Sequence, residues 1–410
     1  LKKIYFTFLI PLFLYSQNLE ELINLSVNNR LIEASKQNLE ALKSDYKSVK
    51  SGYLPKFDIG ASYSITEHEL PNMPKKGTTS HASINYVLFD GGKKYNIYDS
   101  YESNIKGGEK SLDALKNSIS LTVINYYFNS QSLLARKDAK LKEIEQLEAQ
   151  KDRLSKFYDA GTTTEDELQK IISRLQNSNV ELQEVELNIL TILHNLEYIT
   201  GTRIDLQDGS KIKDIQIVSN NQKRFDIQAL EFDTQAKLSN AKAQNSGYLP
   251  TITINNTFNH YDRKYSNKMY DTNGPDHQNI TSINLNWNIF SFGETKYKHE
   301  AKHKEYLASK SNFEYEKNKA EVDLQLALRA YDIAKIKIKA SEATLKAAQS
   351  AYDVIKSKYE NGLIDNVAFL QSLSETYDAI SQHKKALNDL EISKATIIYH
   401  SGEQLQEYIK

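Results

Sequence analysis

The residues "HEAKH", from His299 to His303, have the spacing with which a helix sets two imidazoles on one face for zinc, with Glu300 as general base. That chemistry needs a dry, shaped pocket. The flanks "GETKYKHEAKHKEY" are charged on nearly every face, and His260 and His277 fall in or near an expected surface loop, so the spacing reads as coincidence. A zinc metalloprotease is therefore the third and least supported function. "FDGGKK" lacks the Walker spacing and reads as a turn at the end of a strand. The absence of cysteine excludes disulfides, thiolate metal sites and a thiol nucleophile. Lys plus Arg (52) balances Asp plus Glu (53), so bulk charge recruits no nucleic acid. No catalytic residue, metal or cofactor is expected, and the chain is read as not an enzyme.

What remains are elements, and the elements repeat. "SGYLP" occurs at Ser51–Pro55 and again at Ser246–Pro250, 195 residues apart. "VLFDGGK" (87–93) matches "NIFSFGE" (288–294), "KFYDAGT" (156–162) matches "SKYENGL" (357–363), and "YITG" (198–201) matches "YHSG" (399–402), each 201 residues apart. The reading is a first repeat over 18–201, a linker over 202–224, a second repeat over 225–402 and a tail over 403–410.

Between these landmarks the apolar residues keep a seven-residue grid. Ile105, Leu112, Ile119, Tyr126, Leu133, Leu147 and Leu154 share one, broken only by Lys140. Leu168, Leu175, Leu182, Ile189 and Leu196 share a second, and Leu324, Tyr331, Ile338, Leu345, Tyr352 and Tyr359 a third. Sustained heptads predict coiled-coil packing, and a helix from Lys93 to Lys156 would be on the order of 90–100 Å long. The helices turn back at tips near 159–164 and 360–365, where Gly161 and Gly362 suit a left-handed C-terminal residue. Gly107 and Gly108 fall inside the first long helical pattern without an evident role.

Four stretches alternate instead, at about 55–66, 80–90, 250–260 and 280–290. Phe57, Ile59, Ile84, Ile252, Ile254, Leu285 and Trp287 fall on apolar faces, with Asn, Ser and Thr between them. Strands of roughly ten residues with one apolar and one polar face fit a barrel that is lipid-facing outside and wet inside. Four strands cannot close alone, so several chains must share one barrel. Tyr53, Tyr95, Tyr98, Tyr101, Tyr248, Tyr261, Tyr265 and Tyr270 crowd the strand ends, as an aromatic girdle would. The alternatives are a soluble sandwich, or an exported coiled-coil structural or adhesion protein. The N-terminus, two lysines before an apolar run from Ile4 to Tyr15, has the layout of a signal peptide over 1–17.

The duplicated "GYLP", the "FDGGK" and "FSFGE" turns and the tips "YDAGTTTEDEL" and "YENGLIDNVAFL", in this order twice, resemble the TolC-like outer-membrane efflux and secretion channels over the whole mature chain. The resemblance implies an all-α coiled-coil helical barrel joined to a transmembrane β-barrel, closed as a homotrimer of four strands per chain. It would stand in the outer membrane, against outer-membrane lipid, with a periplasmic extension. It implies an exit duct of a tripartite efflux or type I secretion system, with a periplasmic adaptor (membrane fusion) protein and an inner-membrane pump or ABC secretion transporter as partners. Adaptor contact in the family involves the tips, which maps onto Gly161, Thr162 and Thr163 and onto Gly362, Leu363 and Ile364. Entrance-closing acids map onto Glu167 and Asp365.

Overall fold

The computed structural model describes residues 16–71, 73–214, 223–270 and 274–410. The signal-peptide reading and the middle of the linker lie outside them. The chain forms two compact units.

The first unit comprises the described residues up to Ala34, Leu112–Phe225 and Asn318–Lys410. It holds α1 (Leu19–Ser26), most of α3 (Lys93–Asp159), α4 (Glu165–Thr200), most of α6 (Glu294–Glu360) and α7 (Asn366–His400). The heptad grids are what these helices bury: Leu147 and Leu154 of α3 pack with Ile171, Leu175 and Leu182 of α4 and with Phe369 and Leu373 of α7. At 67 residues each, α3 and α6 are about 100 Å long.

A second core gathers pieces distant in sequence. Leu19, Leu22 and Ile23 of α1, Val123, Ile124 and Tyr127 of α3, Ile204 and Ile212 of the linker, and Leu405 and Ile409 of the tail share one buried cluster. The linker is held by its backbone: Gln17 bridges to Leu206 and Ile212 to Ile409, and the Tyr127 hydroxyl donates to the Gln207 carbonyl at 2.7 Å. Lys394, nearly buried, bonds Asp214 and Glu391, each at 2.9 Å.

The second unit comprises Ser35–Ser111 and Asp226–Lys317. It contains most of α2 (Arg30–Gly52), α5 (Phe225–Ala243) and four strands, β1 (Lys56–Ile65), β2 (Lys76–Phe89), β3 (Thr251–Lys264) and β4 (His277–Asn286). They form one antiparallel sheet in the order β1-β2-β3-β4. Each "SGYLP" ends a helical segment and admits a strand: Gly52 closes α2, Ser246–Tyr248 lie in a 3-10 turn, and Pro55 and Pro250 each stand one residue before a strand.

Three details depart from the sequence reading. β2 starts earlier than expected, at Lys76, and β4 stops at Asn286, so Trp287 lies beyond the strand although the alternation runs on to Phe290. Tyr53, Tyr98 and Tyr101, read only as crowding the strand ends, pack together: Tyr98 and Tyr101 on Tyr46 and Tyr53 on Tyr98, with Lys50 4.2 Å over the Tyr46 ring. Gly107 and Gly108 have a packing role: a Cβ on Gly107 would stand 3.3 Å from Phe232 of α5, and one on Gly108 3.0 Å from Leu39 of α2.

Candidate functional site: membrane wall and helical tips

The register decides what the sheet is. Pairing sets Phe57 beside Ile84, Ile59 beside Ala82, Tyr86 beside Ile254, Ile254 beside Ile283 and Ile252 beside Leu285, so these apolar residues of all four strands share one face. Asp58, Ser83 and Thr257 line up on the other face, as do Asn85, Asn255 and Ser282. Neither face is covered by a core: Phe57, Ile59, Ile283 and Leu285 are all more than 60% exposed. A soluble sandwich would bury them, so that alternative fails. Gly60 admits the His81 ring on the polar face, where a Cβ would come within 2.4 Å of it.

The apolar face carries a polar patch, Asn256, Asn279 and Thr281, that alternation did not reveal. Asn256 lies between Ile84 and Thr281, and its amide donates to Asn279 Oδ1 (2.8 Å) and Thr281 Oγ1 (2.9 Å). Those cross-strand bonds satisfy a group that would otherwise be costly there. The signal was the run Asn255-Asn256-Thr257, which interrupts the period of two.

The tips are two copies of one backbone motif. At the first, Gly161 takes φ 70°, Thr162 N–H donates to the Phe157 carbonyl (2.8 Å) and Gly161 N–H to Tyr158 (2.9 Å). At the second, Gly362 takes φ 70°, Leu363 N–H donates to Lys358 (2.9 Å) and Gly362 N–H to Tyr359 (3.0 Å). This is the Schellman ending, in which a left-handed residue lets two N–H groups satisfy the last carbonyls of the helix. What the tips display differs. The first is polar: Thr162 is exposed, Thr163 half-buried, and Glu165, Asp166 and Glu167 open α4. Hydrogen bonds from Thr164 and Lys170 hold the Asp166 carboxyl below the usual range. The second has no acid in the first turn of α7 and presents Leu363 at 72% exposure, with Ile364 half-buried and Val367 exposed.

A family model, outer membrane efflux protein, matches residues 23–202 and 217–403. The chain belongs to that family. Its members are transport channels and not enzymes, and this chain is an outer-membrane efflux channel protein with a periplasmic helical extension. The fold is similar to the CmeC outer membrane channel of Campylobacter jejuni, with a TM-score of 0.84 at 18% identity, covering 94% of this chain and 85% of that one. VceC of Vibrio cholerae gives 0.82 at 14% identity, covering 94% and 96%. The open-state MtrE channel of Neisseria gonorrhoeae gives 0.78 at 16% identity, covering 94% and 89%. No curated protein matches the chain by sequence.

For an efflux channel, the remaining candidates resolve as follows. Asp365 caps α7, accepting from Ala368 N–H at 2.9 Å. Glu167 bonds Lys170 at 3.5 Å on its own helix. The contacts described for these two acids therefore lie within their own turns. His299 and His303 stack with ring centroids 6.0 Å apart on α6, but no group of three ligating side chains occurs among the described residues. A zinc site on two histidines lacks its third protein ligand. No helix of the described residues is long and apolar enough to cross a membrane.

Sequence reasoning passed over a buried ionic layer between α3, α4 and α7, although its signal was present. Lys140, the single break in the first grid, is nearly inaccessible and bonds Glu143 (2.5 Å) and Glu181 (2.7 Å). Glu143 also accepts from Arg174 (2.7 Å) and Ser178 (3.3 Å), and Arg174 reaches Ser374 of α7 (2.5 Å). Burial alone would pull the Lys140 ammonium down, but the two glutamates outweigh it and its pKa is raised. Glu181 is correspondingly lowered, chiefly by its bond to Lys140. The layer ties α3, α4 and α7 together.

Proposed function

We propose that this chain forms, as a homotrimer, the passive exit duct of a tripartite efflux system, with a periplasmic adaptor protein docking on the helical tips. The observation that carries the reading is the sheet. It has one apolar and one polar face, both exposed, and two unpaired edges, and an unpaired edge is not tolerated in lipid. Three copies supply twelve strands, within the range of closed outer-membrane barrels. The helices support the same assembly. Val180, Leu187 and Leu190 on α4, and Val322, Leu326, Ile333 and Ile336 on α6, are exposed at spacings near three, four and seven, as a seam for another chain requires.

The adaptor contact is assigned to Gly362, Leu363 and Ile364 and to Gly161, Thr162 and Thr163. An exposed leucine at the end of a helical hairpin is the natural hydrophobic anchor, and the threonines offer hydrogen bonds beside it. Phe57, Ile59, Ile84, Ile252, Ile254 and Leu285 face lipid, with Trp287 at the periplasmic interface. Cargo moves through the wet interior without a chemical step, and opening is an equilibrium that adaptor binding biases. Purified protein in a planar bilayer should give discrete single-channel conductance, and light scattering in detergent should give three chains. A protein that inserts but never conducts overturns the duct.

A further inference from the structure

We propose that the apolar face of the sheet ends, on its loop side, in a site for the phosphate groups of an anionic outer-leaflet lipid, built on Lys76 and Lys264. The inference rests on the assignment of that face to lipid proposed above, and says what the face binds at its rim.

The register sets the site. Ile65 pairs with Lys76 and Lys76 with Lys264, so the three residues form one row on the face that carries Phe57 and Ile59. Thr78 and Asp262 make the next row inward on that face. One row further, Ser80 pairs with His260 and His260 with His277. Apolar residues on this face therefore end at a different row on each strand, at Ile65 on β1, Ala82 on β2, Phe258 on β3 and Ile283 on β4. A strand tilted by about 45° carries each row obliquely through the bilayer, so a level membrane surface cuts the sheet along such a staircase. Lys76, beside the last apolar residue of β1, stands at that surface, with Lys264 next to it. The helices join the strands at the other end, and they are the periplasmic extension, so this rim belongs to the outer leaflet.

The lysines call for an anion. Like charges directly opposite on a sheet repel, and both lysines are exposed with no ion pair among the described residues. The acids nearby do not answer them. Glu69, in the loop above, accepts from the backbone N–H groups of Ser266 (2.6 Å) and Asn267 (3.3 Å). Asp262 offers one carboxylate to two ammonium groups. A lipid phosphate supplies both the charge and the acceptor oxygens. Lysine stems lie along apolar surface and hold the ammonium groups at headgroup level, and the Ser80 hydroxyl and the imidazoles of His260 and His277 offer donors beside them. The wet face differs at the same level. There Gly77 pairs with Arg263, whose guanidinium lies 4.2 Å over the Tyr261 ring.

Native mass spectrometry of the purified channel in detergent tests the site, with a phosphorylated glucosamine lipid (lipid A) and its dephosphorylated form as probes. Lys76→Gln with Lys264→Gln should weaken binding of the phosphorylated lipid roughly thirtyfold, about fivefold for each lysine, and change binding of the dephosphorylated form by less than about twofold. Lys76→Arg with Lys264→Arg should bind as the wild type does, and so should Arg263→Gln. Equal affinity of the wild type for the two forms, or an unchanged affinity in the glutamine variant, overturns the site and leaves the lipid-facing wall standing. Full displacement of the lipid by inorganic phosphate overturns lipid as the occupant. Loss of binding in Arg263→Gln, with the glutamine variant unaffected, reverses the faces and overturns both readings.

Discussion

The two repeats are built by the same backbone and differ in what they display. Both tips close with a left-handed glycine and the same pair of N–H bonds, yet one opens into acids and the other exposes Leu363. The positions of the ionic layer in the first repeat, Lys140, Glu143, Arg174 and Glu181, correspond to Ser341, Thr344, Glu375 and Gln382 in the second. There Ser341 Oγ meets His383 Nδ1 at 3.1 Å instead of a buried salt bridge. Duplication preserved what the backbone needs and released the side chains to divide labour. The first repeat carries the buried charges and the acidic tip, and the second the exposed leucine.

That division is most directly broken at the tips. Leu363→Asp should abolish efflux, returning drug sensitivity to that of a strain lacking the protein, while trimer yield stays normal. Thr162→Ser, which keeps the hydroxyl bonded to the Phe157 carbonyl, should shift sensitivity by no more than about twofold, because a polar rim contributes less than a buried anchor. Equal losses from both substitutions would mean that the tips are used alike.

Next in size is the ionic layer. Lys140→Ala leaves Glu143 with Arg174 as its cation and takes from the partly exposed Glu181 its buried partner, and should lower stability by about 2–3 kcal/mol, read from thermal melting in detergent. Ser341→Ala in the second repeat should cost less than about 1 kcal/mol. The layer also sets an acid limit. Glu181 titrates lower folded than unfolded, so its contribution is full above its ordinary carboxylate range and is lost as pH falls through its folded value. Glu181→Gln should flatten the acid limb of a melting-temperature profile, and an unchanged limb would contradict the coupling.

On the wall, Ile254→Arg and Leu285→Arg should each cost about 2–4 kcal/mol of assembly if the residue sits at mid-depth in lipid. Normal trimer yield for both would reverse the face assignment.

The smallest effect concerns Asn366, the first residue of α7, which is 3% exposed and whose amide atoms find no partner among the described residues. Its counterpart in the first repeat, Glu165, is exposed. Asn366→Leu should therefore raise stability by about 1 kcal/mol. A lower melting temperature would show that the amide is paired.

Much of this was legible before folding because the two periods are so different. Leu147, Leu175 and Leu182 kept their grid into a core, and Phe57, Ile59 and Leu285 kept theirs onto one face of a sheet. Lys140 was visible as a break, but its meaning was not, since Glu181 and Arg174 come from a different helix. Asn256 likewise showed as a break in the period of two without its meaning, because what satisfies it stands on the neighbouring strand.

The sequence by itself determined the repeat, the helix and strand periods, the tips and the exclusion of thiol chemistry, all of which are local patterns or counts. Only the tertiary structure decided which residues face each other: the shared register of the hairpins, the linker and tail closing over α1 and α3, and the partners of Lys140. Those choices depend on which distant segment satisfies a given backbone or charged group, and no spacing along one segment encodes the position of another.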